Sequence, residues 1–415
     1  MLNLTEIGER AKKSATQLAV MLSGQKDRAL LAIAKALEEN TAPVLEANAA
    51  DLAQAAENGM SVPLQDRLLL TKERLFGIAE AVRYVVGLED PVGQVLGGGI
   101  RPNGLKITKR AVPFGVIGLI YESRPNVTVD CAVLCLKSGN ACILRGSKDA
   151  VRSNIALVRI MRDAIEKEGL NPDAIQLVED TSRETAAEMM RLNSFIDVLI
   201  PRGGAGLIAT VVQNSTVPVI ETGSGNCHFY VDESADLDMA ADILHNAKTS
   251  RPGVCNAAEK LLVHKNCARA FLPMAAERLR THNVELRACP RARDILGDAC
   301  IPATDSDWST EYEDYILGIK IVNAIGEAIE HINRYSTHHS DAIITSDYAN
   351  SRLFCDSVDS AAVYVNASTR FTDGGEFGLG AEIGISTQKL HARGPMGLTH
   401  LVSYKYILEG SGQIR

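Results

Sequence analysis

Short apolar segments alternate with helical segments along most of this chain, and this pattern restricts the fold more than any other feature. Val116–Tyr121 precedes a segment with helical spacing at residues 129–138, and residues 141–144 precede another at Val151–Lys167. Connections of this length allow a crossover helix between neighbouring parallel strands. The pattern therefore predicts an α/β fold, with parallel sheets covered on both faces by helices.

Further apolar segments extend this pattern into two series. The first series continues at residues 175–178, 197–200 and 217–220, and the second comprises residues 260–263, 320–322, 341–344 and 361–365. We interpret the second series as a second α/β domain, because 415 residues exceed one ordinary core. Residues 3–60 have helical spacing, ended by Asn58 and Gly59, and three glycines at 97–99 predict a break between elements.

Charge and cysteine usage exclude several classes of protein. The net charge of -8 argues against nucleic-acid binding, and no segment approaches the roughly 18 apolar residues that a membrane span needs. Residues 1–13 lack the apolar segment of an export signal. Nine cysteines without a CxxC pair indicate reduced thiols and no structural metal. We expect a cytoplasmic protein without membrane, nucleic-acid or metal partners.

Cys255 is the candidate nucleophile, in the segment SRPGVCN at residues 250–256. Gly253 would permit an unusual turn that presents the thiol in a cleft. Arg251 and the backbone N–H groups of a helix starting near Asn256 would favour the thiolate. A thiolate attacks carbonyl groups, and the resulting thioester is readily reduced by hydride. The alternative interpretation is a buried structural cysteine, the usual state of an unpaired thiol.

Polar loops follow the strands of the first series, at the strand ends where α/β proteins place ligands. In YESRPN, Asn126 could donate its amide to an oxyanion and Arg124 could pair with a phosphate or carboxylate, although proline and asparagine also favour simple turns. In LRGSK, two cations and a hydroxyl suit a phosphate such as the 2′-phosphate of NADP, and ordinary surface cations are the alternative.

Three further features leave alternatives open. Gly203 and Gly204 allow close backbone approach at a helix N-terminus, which favours an anion, but there is no complete GxGxxG or GxxxxGKS motif. Glu221, before a glycine-rich loop, could act as a general base or cap that loop. Adjacent His338 and His339 point to different sides of most backbones, so a metal pair is disfavoured and a substrate contact stays open.

These segments follow the order of the aldehyde dehydrogenase superfamily, which the chain resembles. PFGVIGLI with Asn126 looks like its oxyanion loop, LRGSK like its adenosine-binding strand end, Glu221 like its glutamate loop and VCN like its nucleophile loop. Within the superfamily the chain resembles the γ-glutamyl phosphate reductases, through YESRPNVTVD, LIPRGGAGLI, HHSDAI and the highly specific segment 364–398.

The resemblance implies a fold with a Rossmann-like cofactor domain, an α/β catalytic domain and a small oligomerisation hairpin. The implied limits are 1–227 for the NADP-binding domain, with 366–390 returning to it, 228–365 for the catalytic domain with Cys255, and 100–112 with 391–415 for the hairpin and tail. It also implies a homo-oligomer, and it leaves open whether glutamate 5-kinase forms a complex with the chain.

The resemblance further implies NADPH-dependent reduction of L-glutamyl 5-phosphate to L-glutamate 5-semialdehyde and phosphate, in proline biosynthesis. The implied catalytic residues are Cys255 and Asn126. The implied NADP(H)-binding residues are Arg145, Gly146, Ser147, Lys148, Pro201, Gly203, Gly204, Glu221 and Glu313. The implied substrate-binding residues are Arg124, Arg251, Ser368, Thr369 and Arg370.

Several of these assignments have local alternatives. Glu313 aligns loosely, and Glu311 and Asp314 lie close to it in the sequence. Ser368 and Thr369 could simply cap a helix or form a turn. Phosphate is the acyl acceptor in the reverse reaction, so a Glu221 that activated water would destroy the thioester, and we do not expect it to be an essential base. Aldehyde oxidation with water, a non-catalytic binding protein and a thiol hydrolase are the alternative functions.

Overall fold

A computed structural model describes residues 3–415 of the chain. The helices are α1 Leu4–Leu18, α2 Ser23–Glu39, α3 Thr41–Glu57, α4 Val62–Leu68, α5 Lys72–Val86, α6 Pro125–Lys137, α7 Val151–Lys167, α8 Arg183–Met189, α9 Ala205–Asn214, α10 Leu237–Thr249, α11 Lys265–Arg280, α12 Pro290–Leu296, α13 Ile325–Tyr335 and α14 Tyr348–Ser357. The strands are β1 Val95–Ile100, β2 Lys106–Pro113, β3 Val116–Tyr121, β4 Ala141–Arg145, β5 Ile175–Leu177, β6 Val198–Arg202, β7 Cys227–Val231, β8 Ala258–His264, β9 Glu285–Ala288, β10 Ile301–Pro302, β11 Ile316–Val322, β12 Ser340–Ile344, β13 Ala362–Val365, β14 Gly384–Ser386, β15 Gly394–Met396 and β16 Val402–Glu409.

The chain separates into two compact units. The first unit contains residues 3–221, 378–384 and 396–415, and the second contains residues 222–377 and 385–395. Each unit has its own parallel sheet, in agreement with the predicted α/β class. No helix in residues 3–415 combines the length and apolar character required to cross a bilayer.

The N-terminal part of the first unit is helical, as its apolar spacing predicted. A reciprocal cap starts α1, because the Asn3 side chain accepts the Glu6 N–H at 2.8 Å and the Glu6 carboxylate accepts the Asn3 N–H at 3.1 Å. Leu30, Ile33 and Leu37 are buried on one face of α2, at the spacing of a helix that packs on one side. Packing of this apolar stripe thus holds α2 in place.

A four-stranded parallel sheet forms the centre of the first unit, in the order β5-β4-β3-β6. β3 is buried along its whole length, which explains its continuous apolar sequence. The chain moves from β3 to β4 and β5 on one side, and β6 then pairs on the other side of β3. Such a reversal of strand order creates a crevice at the carboxyl ends of the strands, where open α/β sheets bind ligands.

Residues 217–220 do not form the predicted strand. They make a single parallel bridge between Val219 and Leu199, with the Leu199 N–H donating to the Pro218 carbonyl at 2.8 Å. Pro218 has no N–H of its own to extend the ladder, so the apolar segment stays a short addition beside β6. The prediction of a strand was therefore wrong.

The predicted break at Gly97–99 was also wrong, because these glycines lie inside β1. β1 pairs with β2, and β2 with β16, in a three-stranded antiparallel sheet. Gly98 has φ +147°, and a Cβ there would lie 2.2 Å from the Ile107 carbonyl oxygen, so close pairing requires glycine. Large apolar side chains on this sheet are exposed, among them Val95, Ile100, Tyr406 and Leu408.

The second unit is built on a seven-stranded parallel sheet, in the order β10-β9-β11-β8-β7-β12-β13. The central strands β7 and β8 are buried throughout. Phe229 and Val231 join one apolar cluster while Tyr230, between them, joins another, as expected for a strand covered on both faces. The four apolar segments of the second series lie in or next to β8, β11, β12 and β13, which confirms their prediction as strands.

Candidate active site

Cys255 lies in a turn of the second unit, after α10 and immediately before β8. Its side chain is half-buried. The Ala257 N–H donates to the Val254 carbonyl at 3.0 Å and closes the turn. The helix predicted near Asn256 does not exist, because β8 begins at Ala258 and pairs there with its neighbours. A helix N-terminus is therefore not the group that stabilises a Cys255 thiolate.

The backbone of Cys255 rests on the segment that precedes and begins β7. A Cβ at Gly225 would lie 1.4 Å from the Cys255 carbonyl oxygen, so any other residue would force the two segments apart. The Cys227 thiol donates to the same carbonyl, with 3.1 Å between Sγ and the oxygen. Sequence reasoning gave neither residue a role, because only the fold brings residues so distant in the chain into contact.

The other side of the turn is tied to the segment that carries the family resemblance. The Asn256 side-chain amide donates to the Thr372 carbonyl at 2.9 Å. The Thr369 hydroxyl donates to the Asn256 carbonyl at 2.6 Å, and the Arg370 guanidinium donates to the Asn256 amide oxygen. Cys255 is therefore held between two segments of the second unit, which preorganises its position.

The predicted substrate residues of this segment differ in their surroundings. Ser368 caps the short 3-10 helix Thr369–Phe371 by accepting the Arg370 N–H at 3.3 Å. The capping role that the sequence left open for Ser368 is therefore present. Arg370 also donates from Nε to the Ser250 hydroxyl at 3.1 Å. Burial, and next the charge of Arg251, lower the pKa of Arg370, which still remains a cation at neutral pH. Arg251 itself is exposed.

Glu311 and Glu313 lie in different environments. The Glu311 carboxylate accepts the Gly225 N–H at 2.7 Å, and burial raises its pKa. Glu313 is exposed, on a left-handed backbone with φ +53°. Glu311 is thus the carboxylate bonded to the segment beneath Cys255, and its position depends on a loop conformation that the sequence does not reveal.

A buried ion pair supports the loop that carries Glu311. Lys248 on α10 and Glu259 on β8 lie 3.1 Å apart, and both are fully buried. Glu259 also accepts the Tyr312 N–H at 3.0 Å. Burial lowers the pKa of Lys248 and raises that of Glu259, so each charge depends on its partner. The sequence predicted only a strand here and no ion pair.

In the first unit, the carboxyl ends of β3 and β6 are joined by Glu122. Its carboxylate accepts the Gly204 N–H at 3.0 Å, at the N-terminus of α9. A Cβ at Gly203 would lie 2.5 Å from Cδ of Glu122, so a larger residue would displace this carboxylate. The group that approaches the two glycines is thus the Glu122 carboxylate, which the sequence analysis did not identify, and the predicted anion site at these glycines stays a prediction.

The LRGSK segment ends β4 in the same sheet. Arg145 donates to the carbonyl oxygens of Thr181 and Ser182, at 2.6 and 2.9 Å, so two of its hydrogen bonds go to a neighbouring loop. Ser147 is half-buried and Lys148 is exposed. The Ser147 hydroxyl lies 2.8 Å from the Ser123 hydroxyl and accepts the Asp149 N–H at 3.2 Å, so the strand end offers only the Lys148 ammonium group to solvent.

Asn126 lies in the first turn of α6, where its amide donates to the Asp130 carboxylate at 3.1 Å. Burial raises the pKa of Asp130 to about 6, while Asn126 and the charge of Arg202 oppose this rise. Arg124 is the residue that precedes α6, and it is exposed. The carboxyl group of Asp130 therefore fixes the orientation of the Asn126 amide.

Three other predicted cofactor residues lie in the first unit, where Gly146 follows β4 and Pro201 is part of β6. A Cβ at Gly146 would lie 2.2 Å from the Asn154 side-chain nitrogen, so this glycine permits close packing. Pro201 lies in β6 and is paired with Ile120 of β3. Glu221 is half-buried and is the last residue of the segment 3–221 of this unit.

The paired histidines have separate environments. Burial lowers the pKa of His339 to about 4, and its Nδ1 lies 2.8 Å from the Ser340 hydroxyl. His338 has a left-handed backbone, with φ +61°. Within residues 3–415, no group of three or more His, Cys, Asp or Glu side chains could hold a metal ion.

Comparisons with known proteins agree over the whole chain. A model of the aldehyde dehydrogenase family matches residues 4–292. The chain is 58% identical over 415 residues to the γ-glutamyl phosphate reductase of Listeria monocytogenes, with 100% of both proteins covered. It is 56% identical over 408 residues to that of Clostridium perfringens, with 98% of both covered.

Solved structures give the same result. The γ-glutamyl phosphate reductase of Thermotoga maritima superposes with a TM-score of 0.98 at 49% identity, over 100% of both chains. An acetylating aldehyde dehydrogenase of Geobacillus thermoglucosidasius superposes with a TM-score of 0.70 at 18% identity, over 99% of this chain and 97% of that chain, and shows the fold alone. The predicted aldehyde-dehydrogenase-like fold is confirmed.

Proposed function

The chain belongs to the aldehyde dehydrogenase family and, within it, to the γ-glutamyl phosphate reductases, and on this premise we propose its reaction and the roles of its residues. It reduces L-glutamyl 5-phosphate to L-glutamate 5-semialdehyde and phosphate, the reduction step of proline biosynthesis. Identity of 55–58% to reductases of this name over the length of the chain carries the assignment. The turn that holds Cys255 supports it with a suitable nucleophile.

In our proposal, Cys255 is the nucleophile of the first step. Its thiolate attacks the acyl carbonyl, a carbon–sulfur bond forms, and phosphate leaves with the electrons of the broken carbon–oxygen bond. NADPH, when bound, supplies the hydride that reduces this thioester. The thiohemiacetal oxyanion then re-forms a carbonyl and expels the Cys255 thiolate, giving the aldehyde. Phosphate is a good leaving group, so the first step needs no strong general acid.

Negative charge develops on the carbonyl oxygen in both steps, and it needs donors. We propose the Cys255 backbone N–H and the Asn126 amide. Support for Asn126 comes from Asp130, which fixes that amide in the first turn of α6. We propose Arg124, Arg251, Ser368, Thr369 and Arg370 as the groups that bind the substrate anions.

The cofactor in our proposal is NADP(H), bound by the strand ends of the first unit. For the pyrophosphate we propose Gly203 and Gly204, which precede the N-terminus of α9, where a helix end favours an anion. Arg145, Gly146, Ser147, Lys148, Pro201 and Glu221 complete the proposed binding residues of this unit. For the nicotinamide ribose we propose a carboxylate of the 311–313 loop. The sequence predicts Glu313 for this role, and the half-buried Glu311, held by the Gly225 N–H, is the carboxylate that we favour.

Lys148→Met tests the preference for NADP. Loss of the exposed ammonium group should raise the KM for NADPH about tenfold, because one charged hydrogen bond to the 2′-phosphate is lost. The KM for NADH should change less than about twofold. Lys167→Met is the matched control, because Lys167 is also exposed and lies at the C-terminal end of α7, the helix that follows Lys148. An equal rise in the KM for NADPH and for NADH would show that Lys148 does not bind the 2′-phosphate.

Dependence on phosphate tests the reaction itself. With NADP and L-glutamate 5-semialdehyde, the purified protein should reduce NADP in phosphate buffer and lose nearly all activity in sulfate at equal ionic strength. The reason is that the thioester has only phosphate as its acyl acceptor, and we do not assign Glu221 the activation of water. Equal rates in both buffers would replace the reductase with a hydrolytic aldehyde dehydrogenase.

We propose that the enzyme is a cytoplasmic homo-oligomer that works beside glutamate 5-kinase. Exposed apolar residues on the antiparallel sheet of β1, β2 and β16 support self-association. An acyl phosphate hydrolyses readily, so its consumption near the kinase that makes it would limit the loss. The same argument supports the cytoplasm as the compartment of both steps.

A further inference from the structure

Opposite charges are placed around the Cys255 turn in the second unit. Arg370 is bound to the Asn256 amide oxygen and to the Ser250 hydroxyl, on either side of Arg251 in the sequence. Asp373 lies three residues after Arg370 on the same anchored segment. The carbonyl of Thr372, its neighbour, accepts the Asn256 amide at 2.9 Å. The backbone of Asp373 is therefore tied to the residue that follows the nucleophile.

The Asp373 carboxylate has a fixed orientation and remains exposed. Its Oδ1 accepts the N–H groups of Gly375 at 2.8 Å and Glu376 at 3.4 Å. The backbone N–H of Phe377 donates to the Asp373 carbonyl at 2.9 Å, which closes the loop. Among residues 3–415, no Lys or Arg forms an ion pair with Asp373 within 4.0 Å. Its negative charge is thus held in place without a direct ion pair, and at longer range it acts on Arg370, whose pKa it raises against the larger effect of burial.

The substrate of the proposed reaction has a complementary set of charges. L-Glutamyl 5-phosphate carries a phosphate, an α-carboxylate and an α-ammonium group. Arg251 and Arg370 suit the two anions, but the ammonium group needs a carboxylate. We propose that Asp373 binds the α-ammonium group of the substrate and so determines specificity for an amino acid chain. This assignment rests on the proposed function.

The same contact would protect the product. In L-glutamate 5-semialdehyde the amine can attack the aldehyde of the same molecule, forming a five-membered cyclic imine with loss of water. Only the unprotonated amine has the lone pair for this attack. A neighbouring carboxylate favours the charged form of an amine. Asp373 would therefore keep the ammonium group protonated until the product leaves.

A comparison of two aldehydes tests the assignment, using Asp373→Asn in the full-length enzyme. The substrates are L-glutamate 5-semialdehyde and 5-oxopentanoate, which has the same carbon chain without the amine, each with NADP and saturating phosphate. The variant should raise the KM for the amino aldehyde about 10- to 100-fold, the range for a lost charged hydrogen bond. The KM for 5-oxopentanoate should stay within about threefold. The asparagine oxygen can still accept the Gly375 N–H, so the loop should keep its fold.

Glu376→Gln is the matched control, since Glu376 is exposed in the same loop. It should leave the KM for both aldehydes unchanged. Each variant is measured on the same aldehyde stocks, so cyclisation in solution cancels. A parallel rise for both aldehydes, or no change for either, would overturn the role of Asp373 alone. A wild-type enzyme inactive with both would overturn the proposed function and this assignment with it.

Discussion

Cys255→Ser is expected to lower the kcat of phosphate-dependent NADP reduction by at least about four orders of magnitude. A serine hydroxyl is not ionised at neutral pH and is a far weaker nucleophile than a cysteine thiolate. The thioester therefore cannot form. Initial rates with L-glutamate 5-semialdehyde measure the loss. The melting temperature should change by less than about 2 °C, because one half-buried atom is exchanged for a similar one.

Cys355→Ser is the matched control for that experiment. Cys355 is also partly buried, and it lies in α14 of the same unit. This variant should keep wild-type activity. If Cys255→Ser retained more than about 1% of the rate, another nucleophile would have to be found. If both variants lost activity equally, the cause would be stability and not chemistry.

Gly225→Ala should have the second largest effect. The added Cβ would lie 1.4 Å from the Cys255 carbonyl oxygen, so the turn or the segment before β7 has to move. A displacement of about 1 Å at a reacting group costs roughly 100-fold in rate. We therefore expect kcat to fall about 100-fold or more. Overpacking should also destabilise the protein by about 1–3 kcal/mol, visible as a lower melting temperature.

Gly326→Ala separates this local clash from a general effect of replacing glycine. Gly326 lies in α13 of the same unit, and a Cβ there meets no atom within 4 Å. Alanine is favoured over glycine in helices by about 1 kcal/mol, so this variant should be as active as the wild type and no less stable. Wild-type activity in Gly225→Ala would mean that Cys255 does not depend on the segment beneath it.

The sheets of both units could be predicted from the sequence because a strand buried on both faces must be apolar along its length. β3 and β8 were found in this way, although β8 also carries the buried pair member Glu259. Residues 217–220 have the same apolar character but form one bridge only, since Pro218 lacks a donor. Apolar character alone does not distinguish a strand from a short segment beside one.

The sequence patterns predicted which segments are buried better than they predicted which strands pair with each other. The glycines at 97–99 suggested a break, whereas β1 uses Gly98 for close contact with the Ile107 carbonyl. Glycine permits both a turn and a close approach, and the partner strand decides which of the two occurs. The predicted domain limits, and the site roles taken from the family, stay predictions.

For the site, the sequence predicted a candidate nucleophile and the loops, but not the contacts between them. Cys255 and the segment 364–398 were found because catalytic chemistry and family membership restrict residue type at those positions. Glu311 and Glu313 could not be told apart, because they are the same residue type two positions apart. Their environments differ through a left-handed backbone at Glu313 and a hydrogen bond from Gly225 to Glu311.

The sequence thus predicted the candidate nucleophile, and the tertiary structure decided how this residue is held. Burial and chemical reactivity depend on residue type, so they leave a pattern that can be read along the chain. The contacts of Cys255 with Gly225 and Cys227, and the anchoring of Asn256 by Thr369 and Thr372, join residues about 30 and more than 100 positions apart. Such contacts form only when the two segments pack together. The positions of the segments depend on the strands to which they are connected.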